Sequence, residues 1–203
     1  MREPMMVSAS LTTCANPPWA AAGWRNRLLA LAMLLFAFSC LAVGSQQGGT
    51  TPLLERSVKA AFLYKFLGYV EFPADPGPTL VVGVLGADDV AGELAQIATG
   101  RNVGNRSISV RKLAEGDGLD GLHLLFVGAR VSQPAPVLRQ AEKNGIVTVT
   151  EQQDGYQGDS VINFRLIDER VRFEVSLPAA ERSNVRLSSR LLSVAYRVQK
   201  GGQ

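Results

Sequence analysis

The chain has a single histidine, His123, set between Leu122 and Leu124. An imidazole works as general acid or base only with a proton donor or acceptor in hydrogen-bond reach. No Ser/Asp arrangement in the sequence marks such a partner. A lone histidine in an apolar run usually packs or ends a strand, so His123 reads as structural. An enzyme built on it ranks behind every binding function, and no catalytic residue is assigned. Neither an HExxH motif nor a Cys/His cluster occurs, so the common zinc patterns do not apply. No metal and no cofactor is expected.

Two glycine-rich stretches invite an anion. Residues 83–88 (GVLGAD) look like a phosphate-binding turn between a strand and a helix. Helix N-termini do attract anions through free amide groups. The glycines miss the GxGxxG spacing, no Walker lysine follows, and Asp88 and Asp89 would repel phosphate. An ordinary strand-to-helix turn is expected, with Asp88 as N-cap. Residues 100–106 (GRNVGNR) hold Arg101 and Arg106 and read as a solvated connector, with an anion site as the sharper option. The acids Asp88, Asp89 and Glu93, like Glu115, Asp117 and Asp120, lack calcium-loop spacing and read as caps and turns. With no catalytic set in view, the inventory points toward a binding protein.

The elements that would position these residues follow from periodicity. Residues 53–70 suit a helix halted by Pro73, with Leu54, Val58, Phe62, Phe66 and Tyr69 along one side. Its apolar arc is wide, which suits a helix wedged between a sheet and other helices; the sharper reading is a docked partner. Residues 79–85 and 122–127 are nearly continuous apolar strands, and residues 107–111 and 146–150 add two more. Helices are expected over residues 90–99 and 136–143, the latter stopped by Gly145. Residues 160–166 and 170–175 read as a hairpin around Asp168 and Glu169, an amphipathic edge with a cross-strand ion pair; the sharper reading is a polar recognition surface. There Val171, Phe173 and Val175 face one side, and Arg170, Arg172 and Glu174 the other. Residues 179–197 read as closing helical material, with Ser188 and Ser189 available to cap the last helix. Strand–helix alternation followed by a hairpin predicts a three-layer α/β/α sandwich with a mixed, mainly parallel sheet of about five to six strands.

The N-terminus reads as an export signal. Arg25 and Arg27 precede an apolar run from Leu28, and Ala42-Val43-Gly44 offers the small residues a signal peptidase needs. Cleavage after Gly44 is expected. A flexible lead-in over residues 45–52 and one domain over residues 53–200 would follow. An uncleaved anchor and a lipoprotein attached at Cys40 are the competing readings. Residues 28–44 sit at the short end of the roughly 17–25 needed to span a bilayer. Both cysteines, Cys14 and Cys40, fall in this segment, so the mature domain has no disulfide and no thiol nucleophile. Residues 1–44 also hold Arg2, Arg25 and Arg27 against Glu3. Their loss takes the chain from 21 basic and 18 acidic residues to a net charge of +1. A near-neutral domain offers no electrostatic footprint for nucleic acid.

Three blocks carry a family likeness: residues 58–73 (VKAAFLYKFLGYVEFP), residues 170–175 (RVRFEV) followed by Ala179-Ala180, and residues 187–192 (LSSRLL). Their order and spacing resemble the YfiR family, the domain called DUF4154, over about residues 54–197. The resemblance implies a periplasmic α/β regulator that binds and represses an inner-membrane sensor protein such as a diguanylate cyclase, linking envelope signals to cyclic di-GMP and biofilm formation. It places the expected partner-binding residues within the blocks: Lys59, Phe62, Phe66, Arg172, Glu174, Ser188, Ser189 and Arg190. A homodimer is a second assembly option. The chain departs from the family pattern in lacking cysteines in the mature domain and in carrying Ser176 where asparagine is common. Redox control through disulfides therefore does not carry over. The competing function is a periplasmic small-ligand sensor or solute-binding domain using the sheet ends near Gly86 and Arg101.

Overall fold

Valine- and leucine-rich runs without a polar face set the centre of the molecule. The structure is a computed structural model that describes residues 52–72, 77–152 and 159–201. The expected signal segment lies outside the described residues. The chain runs α1 (Pro52–Phe66), β1 (Val70–Glu71), β2 (Thr79–Leu85), α2 (Asp88–Ala98), β3 (Asn102–Val103), β4 (Arg106–Leu113) and β5 (Leu124–Val127). It continues through α3 (Ala135–Lys143), β6 (Val147–Thr150), β7 (Ile162–Ile167), β8 (Arg170–Ser176), α4 (Leu177–Arg182), β9 (Arg186–Leu187), α5 (Ser189–Val194) and β10 (Arg197–Gln199). No helix among the described residues is long and apolar enough to cross a membrane.

The main sheet has the order β10-β8-β7-β6-β5-β2-β4-β3. The five strands from β7 to β4 are parallel neighbours. β8 adds antiparallel to β7, and β10 runs parallel to β8. The α/β class and the mainly parallel sheet are as expected from the sequence. The sheet has eight strands rather than five or six. The additions, β3 and β10, are two and three residues long, too short to leave a periodic pattern. Alternation along each strand splits the core by face. On the first face, Leu80, Val82, Val84, Leu124, Phe126, Val147 and Val149 pack with α1 and α2. On the second, Leu85, Leu125 and Val127 pack with Leu138 and Ala141 of α3. These are the three layers.

Several boundaries differ from the sequence reading. α1 ends at Phe66, not Val70, because Val70 pairs with Leu187 in a separate two-stranded sheet. Its buried stripe is Ala60, Leu63 and Phe66, and Leu54 is 53% exposed. Asp88 does not cap α2. Ala87 holds the N-cap position without a side-chain cap bond. Ala87 is buried, and a Cβ on Gly128 would lie only 2.9 Å from its own Cβ, so a larger capping side chain has no room. Asp88 and Asp89 instead sit in the first turn, where the helix dipole favours negative charge. The expected connector at residues 100–106 is a tight hairpin, with Val103 paired to Arg106 and Gly104 at φ 58°.

The closing segment is not one helix. Asn184, at φ 53°, ends α4 with a Val185 N–H to Ala180 carbonyl bond of 2.9 Å. β9 then interrupts, and Ser188 starts α5 by accepting from the Leu191 amide at 3.3 Å, so the expected serine cap is present. β8 is not an edge strand either, since β10 covers its outer side.

Candidate partner-binding site

Two regions gather the chemistry-bearing side chains. The first lies beyond the C-terminal ends of the parallel strands. β2 leads to α2 on one face and β5 leads to α3 on the other, so a crevice opens between them, the usual ligand position in such sheets. Here the crevice floor is shut. A Cβ on Gly128 would sit 2.6 Å from the Gly86 carbonyl oxygen, and one on Gly86 would sit 2.6 Å from Val131 Cγ2. Above it remains a cavity of about 220 Å³ bordered by Glu55, Arg56, Lys59, Asp89, Arg130 and Glu151.

The charges around that cavity are spent on one another. Lys59, buried on α1, donates to Glu55 Oε1 at 2.5 Å and to Glu151 Oε2. Burial alone would pull the Lys59 ammonium down. Its hydrogen bonds to Glu151 and Glu55, and their charges, outweigh this and hold it above its ordinary 10.5. Glu151 Oε1 also accepts from the Ala129 amide at 2.7 Å. Arg56 pairs with Glu93 and Arg130 with Asp89, each at 3.3 Å. The cluster therefore ties α1 to the ends of β5 and β6. Glu55 was not singled out from the sequence, although its i,i+4 spacing to Lys59 was the available signal. Glu151, the first residue past a buried strand, was not singled out from the sequence.

His123 precedes β5. Its Nδ1 accepts from the Val81 amide at 2.9 Å, and its ring meets Phe72 edge-on at 5.6 Å. Its backbone bonds to Val81 and Val147 extend the ladder by one residue. This is the strand-end, packed histidine the sequence suggests.

The second region is the β7–β8 hairpin. On its first face Phe62 and Phe66 of α1 meet Phe164 and Phe173, with ring centroids 5.1–6.0 Å apart. Ala179, Ala180 and Leu191 join the same core. The three sequence blocks thus converge on one packed seam. Phe66 is 1% exposed within it, while Phe62 is half-buried. Ser188 caps α5 and donates its amide to the Tyr69 carbonyl at 2.9 Å. Ser189 and Arg190 are exposed beside it.

The hairpin's second face is polar. Val127, Thr150, Asn163, Glu174 and Arg197 stand in register across five strands. Thr150 and Asn163 are buried and bonded to each other at 2.8 Å, and Asn163 exchanges further bonds with the Gln152 backbone. Glu174 is 3% exposed and lies 3.8 Å from both Arg165 and Arg197. The ion pair expected across the hairpin is therefore Arg165–Glu174, and Glu174 is buried rather than solvated. Arg172 is exposed and directly opposite Arg165. Arg165 and Arg197 were not singled out from the sequence. β10, which brings Arg197 to Glu174, has no signal of its own.

Of the expected partner-binding residues, the structure groups Lys59 with the strand-end cluster and Phe62 and Phe66 with the aromatic seam. Arg172 and Glu174 lie on the polar face, and Ser188, Ser189 and Arg190 at α5. No curated protein matches the chain. A family model described as YfiR/HmsC-like (DUF4154) matches residues 56–196, which takes in all three converging blocks. The chain belongs to the YfiR/HmsC-like family.

Proposed function

We propose that this protein is a periplasmic regulator that binds and represses an inner-membrane signalling protein, a diguanylate cyclase, and so links envelope signals to cyclic di-GMP and biofilm formation. The family is known in regulation. The observation that carries the binding reading is how the charges are disposed. Lys59 and His123, the groups best suited to chemistry, are held by internal partners, whereas Arg172, Ser189 and Arg190 project from the surface. Repression then requires tighter binding to the inactive cyclase than to the active one, since equal affinity shifts nothing. The export pattern at residues 25–44 supports the location.

Co-purification from detergent-solubilised envelopes tests this. The tagged chain is expected to retain an inner-membrane protein with cyclase activity. Recovery of no membrane protein would count against the proposal.

A small-ligand sensor is the second reading. Gly86 borders the cavity of about 220 Å³, and Arg101 borders an open groove of about 500 Å³ beside β4. The pairing of Arg56, Lys59 and Arg130 weighs against it at the first position, because a ligand would have to displace existing partners. Thermal shifts with nucleotides and amino acids discriminate, since a ligand selective for the folded state raises its stability.

A further inference from the structure

Opposed arginines in the middle of an antiparallel ladder call for an explanation. Arg165 and Arg172 are directly across from one another, and Arg170 follows on the same side of β8. Like charges at directly opposed positions are destabilising. Arg197 adds a fourth guanidinium from β10. Glu174 is the carboxylate set among them, and it is shared by Arg165 and Arg197. At 3.8 Å those contacts are ion pairs, longer than hydrogen bonds, so the guanidinium donors are not consumed. Among the described residues, Arg165 Nε is buried with no hydrogen-bond partner. Asp168 and Glu169 stand at the hairpin tip, and neither forms an ion pair with these arginines among the described residues.

Among the described residues, no helix buries an apolar stripe against this side of β7 and β8. α1, α2, α4 and α5 bury their apolar residues in the first-face core, and α3 covers the second face at β5 and β6. Arg170, Arg172 and Arg197 are exposed. The packing of the fold thus explains why the apolar side of the hairpin is apolar, but not why its other side is so rich in arginine.

We infer that this face of β7, β8 and β10 docks an acidic segment of a protein partner, a conclusion that rests on the partner-binding reading above. Guanidinium groups present planar forks that match carboxylates two donors at a time. Arg170 and Arg172 repeat at alternate strand residues, about 7 Å apart. That spacing suits successive carboxylates on an acidic stretch. Glu174 keeps Arg165 and Arg197 close to the sheet, and the two exposed arginines of β8 extend the patch toward the hairpin tip.

The test uses the full chain and a fluorescent decaglutamate peptide. Arg170→Ser with Arg172→Ser removes two exposed charges without touching Glu174 or the core. Arg139→Ser with Lys143→Ser removes the same charge from exposed positions on α3. The hairpin variant is expected to bind the peptide about tenfold more weakly, while the α3 variant stays within about twofold of the original. Denaturant midpoints should show the hairpin variant at least as stable as the parent, because an opposed like-charge pair is gone. Equal weakening in both variants would overturn the inference, as would binding to phosphatidylglycerol vesicles without binding to the peptide. Absence of peptide binding alongside a retained membrane partner would sink this surface and leave the regulator standing. Arginine-dependent peptide binding without any effect of gene loss on cyclic di-GMP would do the reverse.

Discussion

At the residue scale, Lys59 shows how a motif residue can be structural. It is a charge buried between Glu55 and Glu151. Removing one member of a buried ion pair leaves the others uncompensated, typically at a cost of about 3 kcal/mol. Lys59→Met is therefore expected to lose about that much in urea denaturation. The pH dependence follows from the direction of its shift. A lysine raised on folding contributes stability that is complete below its unfolded value of about 10.5 and is lost as pH rises through the higher folded value. The difference between parent and Lys59→Met should shrink above pH 10.5 and stay constant from there down to neutral pH, where Glu55 and Glu151 are ionised. His123 has a second local task. His123→Leu strips the Val81 amide of its acceptor, which should cost about 1–3 kcal/mol while leaving partner binding intact. The type and strand-end position of His123 were readable from its apolar neighbours. Glu151 was not, because its partner is 92 residues away in sequence.

At the element scale, what could be read in advance was what repeats. β2 and β5 are apolar enough to declare a buried parallel sheet, and the β7–β8 hairpin alternates clearly. Short elements escaped. β1 and β9 have two residues each and exist only because they pair with one another across the fold. That pairing ended α1 early and broke the closing helix. The hairpin turn offers a separate check. Asp168 and Glu169 both have positive φ, at 47° and 58°, the geometry of a tight hairpin turn that favours glycine at its second position. Glu169→Gly is expected to stabilise the protein by about 0.5–1 kcal/mol, read as a higher denaturation midpoint. A lower midpoint would mean that the Glu169 side chain makes a contribution larger than its backbone strain.

At the scale of the whole molecule, the sandwich separates two tasks. Its first face gathers the three blocks that carry the family likeness into an aromatic and aliphatic seam. Much of that pattern specifies packing, as Phe66 and Leu191 show by their burial. The polar second face of β8 was readable from its alternation, but Arg197 joined it only once β10 was placed beside β8. Residues carrying the likeness were thus legible in the sequence, and so was the hairpin that holds three of the arginines, but the fourth, Arg197, depended on a three-residue strand. For repression, a shift of the cyclase from nearly all active to nearly all inactive needs roughly 10⁴-fold preference between its two states. The most direct measurement is cellular cyclic di-GMP in a strain lacking this gene, compared with the parent and with a complemented strain. The account predicts a rise on deletion and a return to the parental level on complementation. An unchanged level in the deletion strain would contradict it.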